Sequence, residues 1–205
     1  MDSALVKFLK EEYPKRHDKT ADQIVPPRRE EPHRPTFEIC DKKEAIIQEE
    51  GEGISRIRWQ GEQVEVIDFE GYIDQFGEAG VLRCDFLIAP IAGDAFVLFN
   101  ELTHALKDSI DKDDGKRKKA YHQLEMSIER FYEEGQDLLD KYKKKVALFS
   151  FRYKDEDKQI GTLTKETRAK FRKMQVRLPN IREEEALPHG VTFEQRLYPT
   201  PYAIS

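Results

Sequence analysis

Asp85 and Glu101 are the residues around which this sequence can build a reaction. They lie in two β-rich runs, Leu82-Arg-Cys-Asp-Phe-Leu-Ile88 and Phe96-Val-Leu-Phe-Asn-Glu-Leu-Thr103, joined by Pro90-Ile-Ala-Gly-Asp94. Pairing the runs as an antiparallel hairpin about Gly93 sets Asp85 opposite Glu101, Leu87 opposite Phe99 and Arg83 opposite Thr103. Side chains alternate across a strand, so these six share one face of the sheet. Cys84, Phe86, Ile88, Leu98 and Leu102 share the other, where a long helix is expected to cover them. Opposed carboxylates with Cβ atoms about 4.5–5.5 Å apart repel each other. A divalent cation between them removes the repulsion, and hard ions such as Mg²⁺ or Mn²⁺ favour carboxylate oxygens. Such an ion acidifies a bound water and stabilises charge on a phosphoryl group, which is what metal-assisted phosphodiester hydrolysis needs. The pattern therefore predicts Asp85 and Glu101 as metal ligands, provided the register holds, because a slip of one residue destroys the alignment.

A second candidate is basic. Lys165-Glu-Thr-Arg-Ala-Lys-Phe-Arg-Lys173 continues to Arg177, and Lys165, Arg168, Arg172 and Lys173 could grip phosphates. Gly115-Lys-Arg-Lys-Lys119 is a shorter cluster of the same kind. The competing reading is a solvated surface balanced by acids such as Glu183 and Glu185, and the sequence favours it. Net charge is -5 over 205 residues, which argues against coating nucleic acid by bulk electrostatics but leaves room for a local basic groove. His17, His33, His104, His122 and His189 show no zinc spacing, and Cys40 and Cys84 are far apart in the chain. No phosphate-binding glycine loop or nucleophile elbow occurs. Two cysteines fit a reducing compartment. No basic stretch and apolar core open the chain, and no apolar run approaches the roughly 18–20 residues that cross a bilayer. The expectation is a cytoplasmic protein without membrane contact.

The elements that must hold these residues are legible in outline. Residues 1–36 read as a short helix (5–13, with Leu5, Phe8 and Leu9 on one face) followed by an extended arm rich in proline: Pro14, Pro26, Pro27, Pro32 and Pro35. Residues 37–205 read as a single α/β domain. Within it, 37–40 is a short apolar stretch and 42–50 is expected to form one or two helical turns. Residues 54–59 and 64–69 read as strands joined by a turn at Gln60-Gly-Glu62. Tyr121, Leu124, Ile128, Phe131, Tyr132, Leu138, Leu139 and Tyr142 recur at helical spacing, with Gly135 on the same stripe allowing close packing. The apolar run 146–151 is a buried strand. Residues 164–174 form a further expected helix with Thr164 as N-cap, and 191–205 an edge strand limited by Pro199 and Pro201. Together these predict a helix packed across a mixed sheet.

Arg83-Cys-Asp-Phe-Leu-Ile88, the short connection and Phe96-Val-Leu-Phe-Asn-Glu-Leu-Thr103, followed by a long helix and a buried strand, resemble the core of the restriction-endonuclease-like PD-(D/E)XK nucleases. In that superfamily an Asp begins one strand, a Glu-x-Lys ends the next, and a helix crosses to a further strand. The resemblance covers roughly residues 37–152. It implies a three-layer fold with a mixed central sheet flanked by helices, Mg²⁺ or Mn²⁺ at Asp85 and Glu101, and a setting in DNA processing or prokaryotic antiviral defence. The sequence departs from the pattern at Thr103, which stands where the family has its lysine. Arg83 is the nearest replacement, although an arginine stays protonated and can only stabilise charge. Some members move the lysine to a neighbouring element, where Lys118 or Lys119 could serve. A further family acid could come from Glu44, Glu49 or Glu70. Two classes follow: a metal-dependent nuclease, or a non-catalytic relative that binds or scaffolds a protein partner or nucleic acid. The missing lysine points to the second, for which the proline-rich arm and the Pro199-Thr-Pro-Tyr-Ala-Ile-Ser205 tail would suit wrapping around a partner. If the basic run grips phosphates, reversing Arg168, Arg172 and Lys173 to Glu abolishes low-salt binding to duplex or single-stranded DNA, and unchanged binding removes the idea.

Overall fold

Strands whose side chains are apolar on both sides must lie between two layers, and three consecutive runs in this chain have that character. In the computed structural model, which describes residues 2–41, 44–77, 82–111, 115–135, 137–154 and 185–204, they become the centre of a seven-stranded sheet. In chain order the strands are β1 (Arg29–Glu30), β2 (Thr36–Ile39), β3 (Ile47–Gln48), β4 (Ser55–Arg58), β5 (Val64–Asp68), β6 (Phe86–Pro90), β7 (Phe96–Ala105), β8 (Lys144–Tyr153), β9 (Glu185–Leu187), β10 (Val191–Leu197) and β11 (Tyr202–Ala203). The large sheet has the order β1-β5-β6-β7-β8-β10-β9, and a second sheet has the order β11-β4-β2-β3. Both are mixed. In the large one β5, β6 and β7 run antiparallel in turn, β7 pairs parallel with β8, and β8 parallel with β10.

The helices are α1 (Ala4–Lys7), α2 (Tyr13–Arg16), α3 (Phe69–Asp74), α4 (Lys107–Asp111) and α5 (Lys116–Gly135). Among the described residues no helix is long and apolar enough to cross a membrane. A π turn, Phe8–Glu12, joins α1 to α2, and the Leu9 carbonyl accepts a hydrogen bond from the Tyr72 hydroxyl. One face of the large sheet (Ile67, Leu87, Val97, Phe99, Ala147, Phe149) packs on Leu5, Leu9, Tyr13, Leu124, Ile128 and Phe131 of the helices. The other (Val66, Phe86, Ile88, Leu98, Leu148) packs on Phe37, Ile39, Ile57 and Tyr202 of the small sheet. The layers are therefore helix, large sheet, small sheet.

The hairpin register is the expected one: Leu87 pairs with Phe99, across a turn in which Gly93 adopts φ +83°. Several other expectations are corrected. The long helix covers the Leu87 and Phe99 face, not the Phe86 and Ile88 face, and Cys84 belongs to the helix side. Both faces are apolar, so alternation alone does not say which layer lies on which. The strands around 54–59 and 64–69 do not pair with each other. The chain crosses from the small sheet to the large one between them, at a turn where Trp59 Nε1 donates to the Glu62 carbonyl at 2.6 Å. In 42–50 the described structure is the short strand β3, paired with β2, rather than helical turns. The helical stripe breaks after Gly135, and Leu138, Leu139 and Tyr142 reach the same core from a 3₁₀ turn. Within 191–204, β10 is interior to the large sheet and β11 forms an edge of the small one.

The N-terminal region is tied into this framework. Leu5, Val6, Leu9 and Tyr13 are fully buried or nearly so. A Cβ added at Gly135 would come within 3.3 Å of the Phe8 ring, so glycine allows α5 to approach the first helical segment closely. The proline-rich stretch is held where β1 pairs with β5 and where the Gln75 side chain accepts from Val25 N at 2.7 Å. Leu9→Ala should then cost about 2–5 kcal/mol, the range for truncating a buried leucine. Urea denaturation reads this, and a loss below about 0.5 kcal/mol, typical of surface positions, would mean that the N-terminal helix is not core.

Candidate metal centre

The site forms at the end of the β6–β7 ladder, because one carboxylate interrupts it. Asp85 occupies a bend just before β6, and its Oδ2 accepts a hydrogen bond from Leu102 N at 2.6 Å. The side chain thus takes a donor that a further ladder residue would have used. Asp85 also organises the next element through its carbonyl, which accepts from Phe69 N at 2.9 Å and Glu70 N at 3.2 Å. The first turn of α3 is thereby fastened beside Asp85 and carries Glu70 with it. That turn is capped by Asp68, whose carboxylate accepts from Gly71 N at 2.8 Å. A Cβ at Gly71 would lie 2.8 Å from both Asp68 carboxylate oxygens, so a larger residue there would make the capping carboxylate shift.

Glu70 and Asp85 meet Asp41, which follows β2 at the mouth of the β2–β3 hairpin. Each of the three offers a carboxylate oxygen, and these oxygens all lie within 4.8 Å of one another. Asp41 and Glu70 line a cleft of about 240 Å³ together with Arg28, Cys40, Asp68 and Asp74 among others. Glu101, on β7, contributes no ligand atom to this trio but feels the charges of all three. It is only 5% exposed, and its Oε2 has no hydrogen-bond partner among the described residues. Burial, reinforced by the charges of Asp85, Glu70 and Asp41 and opposed by that of Lys119, pushes the Glu101 carboxyl up to about 10. Burial likewise raises Asp68, against the Gly71 amide and the Arg28 charge.

No protein-family model, curated protein or solved structure matches this chain. The side chains alone carry the functional reading. Clusters of surface acids are common without an ion, so three converging carboxylates are not enough. Glu101 adds what they lack: a buried polar atom with no partner, next to the same charges. An unsatisfied buried carboxyl is costly, and a cation shared with its neighbours would remove both the missing contact and the repulsion. All the donors are oxygens, which suits Mg²⁺ or Mn²⁺.

Of the residues expected from sequence, Asp85 and Glu70 share the cluster, whereas Glu101 feels their charges without contributing a ligand atom to it. Glu44 and Glu49 are exposed on the small-sheet side and contribute no ligand atom to the cluster. Asp41 was not foreseen. Its only signal is a position directly after a short apolar stretch, and nothing local says that this stretch ends beside Asp85. Thr103 lies two residues further along β7, half-buried and paired with Phe151, about 7 Å along the strand from Glu101.

The expected ladder pairing of Arg83 with Thr103 does not form. Residues 82–84 leave the sheet before β6 begins, because α5 draws them away. Ser127 Oγ accepts from Cys84 N at 2.8 Å, and Gln123 Nε2 donates to the Arg83 carbonyl at 2.8 Å. The Arg83 guanidinium donates to Asp74. Lys165, Arg168, Arg172 and Lys173, with the helix expected over 164–174, lie outside the described residues.

The raised Glu101 carboxyl has a consequence for stability. Folded Glu101 keeps a proton that the unfolded chain loses near 4.5, so stability declines as pH rises through the window from about 4.5 to about 10. Glu101→Gln does not titrate and escapes this decline. In chelated buffer its melting temperature should rise relative to wild type between about pH 5 and about pH 9, read by differential scanning calorimetry. A constant difference across that range would show that Glu101 is not a buried acid.

Proposed function

We propose that this protein is a divalent-cation-dependent phosphodiesterase acting on nucleic acid, built on a restriction-endonuclease-like core. The observation that carries the reading is the convergence of Asp41 and Glu70 on Asp85, beside the buried and unpartnered Oε2 of Glu101. The order β5, β6, β7, α5, β8, with two antiparallel steps and then a parallel one across the helix, supports the fold assignment.

In this reading Asp41, Glu70 and Asp85 hold Mg²⁺ or Mn²⁺, with Glu101 as the inner carboxylate. The ion would supply an acidified water and a counter-charge for the phosphoryl oxygens. The chain's own residues do the positioning. The Leu102 amide fixes the rotamer of Asp85 by holding Oδ2, and the Asp85 carbonyl fixes Glu70. Lys119, in the first turn of α5, is the cation whose charge acts on Glu101. It supplies positive charge at the cluster where Thr103 cannot, and an ammonium on a flexible stem can meet a phosphate oxygen.

Thr103 itself favours a second reading, in which the cation site persists in a subunit that binds nucleic acid or a protein partner without cleaving. Cleavage of labelled single- and double-stranded DNA and RNA with Mn²⁺ or Mg²⁺ separates the two. The nuclease reading expects cleavage that chelation abolishes and that Asp85→Asn lowers by about 100-fold or more, the scale of losing one preorganised charge-stabilising group. Lys119→Ala should lower the rate while leaving Mn²⁺ affinity within about twofold. Cation binding without cleavage of any substrate would move the assignment to the non-catalytic subunit. Cleavage that survives chelation would end both readings of the cluster.

A further inference from the structure

The cluster draws its ligands from separate parts of the fold. Glu70 and Asp85 belong to the large sheet and α3, whereas Asp41 belongs to the β2–β3 hairpin of the small sheet. That hairpin is short: β2 and β3 pair only through Glu38 with Gln48 and Ile39 with Ile47, extended by Cys40 N donating to the Ile46 carbonyl at 3.2 Å. Strand β2 is also held by β4, but β3 is an edge strand with only these two pairs, so further contacts are needed to fix the return side of the loop that follows Asp41.

One three-residue segment of the N-terminal region touches both ligand-bearing parts. The Arg28 carbonyl accepts from Asp68 N at 2.9 Å, at the entrance to α3 and two residues before Glu70. The Arg28 guanidinium donates to the Glu44 carbonyl, on the hairpin loop, and to Glu30 Oε1 at 3.3 Å. The Glu30 carboxylate accepts from two consecutive backbone amides on the return side of the same loop. Oε1 takes Ile46 N at 2.8 Å and Oε2 takes Ile47 N at 2.8 Å. A bidentate carboxylate on adjacent amides fixes orientation as well as distance. The segment is itself held to β5 by two residue pairs, Arg29 with Ile67 and Glu30 with Val66.

We propose that Arg28 and Glu30 are positioning residues for the metal centre: they clamp the β2–β3 loop against the entrance of α3 and so hold Asp41 in ligating register with Glu70 and Asp85. The proposal rests on the cluster being a cation site. Cation affinity then depends on the docking of a two-residue edge strand, and by linkage the cation tightens that docking. Whatever displaces β1 weakens the site without touching a ligand.

The test is a double-mutant cycle on Mn²⁺ affinity, by calorimetry, with wild type, Glu30→Ala, Asp41→Asn and the double variant, and Asp85→Asn to mark the site. Partners that orient a ligand typically contribute about 10- to 100-fold in metal affinity, so Glu30→Ala should weaken Mn²⁺ binding by about tenfold or more. In the Asp41→Asn background it should weaken binding no further, because its effect passes through Asp41. Mn²⁺ should also slow hydrogen exchange at the Ile46 and Ile47 amides in wild type and not in Glu30→Ala. Should Glu30→Ala fail to fold, Glu30→Gln, which keeps one acceptor oxygen, should show an intermediate loss. Equal affinity for wild type and the Glu30 variants, with Asp85→Asn still abolishing binding, overturns the clamp and leaves the cation site standing. Losses that multiply in the double variant also overturn it. Absence of Mn²⁺ binding by wild type overturns the cation site and the clamp together.

Discussion

A carboxyl buried beside other carboxyls is the constraint from which the rest of the site follows. Glu101 lies on the central strand of a sheet covered on both faces, where water cannot solvate its charge, and Asp85, Glu70 and Asp41 deepen the penalty. A fold tolerates this only if the group keeps its proton or shares a cation. Without an ion Glu101 keeps its proton, and the neighbouring carboxylates bring further oxygens that would suit the second solution. The local structure holds these oxygens in place. Asp85 spends one oxygen on the Leu102 amide, and its carbonyl spends both lone pairs on the turn that carries Glu70. The end of a β-ladder thus positions a cluster of carboxylates.

The layering gives this scaffold its third member. Helices fill one face of the large sheet and the small sheet fills the other, so the β2–β3 hairpin arrives at the edge where β6 begins. The C-terminal tail closes the same sandwich. Strand β10 pairs with β8 in the large sheet, and β11 then pairs with β4 in the small one. Both ends of the chain therefore stitch elements that the centre leaves separate: the N-terminal segment through the Arg28 and Glu30 contacts, the C-terminal one by strand addition. A chain built this way makes its site a property of the whole domain.

Positive charge is distributed differently from what a linear motif suggests. Thr103 stays in the ladder with Phe151, and Arg83 turns to Asp74 once α5 has drawn its backbone out of the sheet. The charge of Lys119, exposed on α5, acts on Glu101 and opposes the rise of its carboxyl. Helix α5 thus covers the core beneath Phe99 through Leu124, Ile128 and Phe131, and anchors residues 82–84 through Gln123 and Ser127.

The sequence alone determined the elements with strong periodicity and the register between the two that matter most. Strands β5 to β8 and helix α5 were legible because their apolar residues repeat at the spacing of their own backbone. The Asp85 and Glu101 juxtaposition was legible because centring the hairpin on the turn at Gly93 sets the register of the two strands. Tertiary structure decided what covers each face, since two apolar faces look alike to any local pattern. It also recruited Asp41, released Arg83 and tied down the N-terminal segment. Each of these depends on polar contacts between residues remote in the chain: Asp85 with Leu102, Gln123 with Arg83, and Glu30 with Ile46 and Ile47. Such bonds depend on where layers meet, and periodicity within one element carries no information about that.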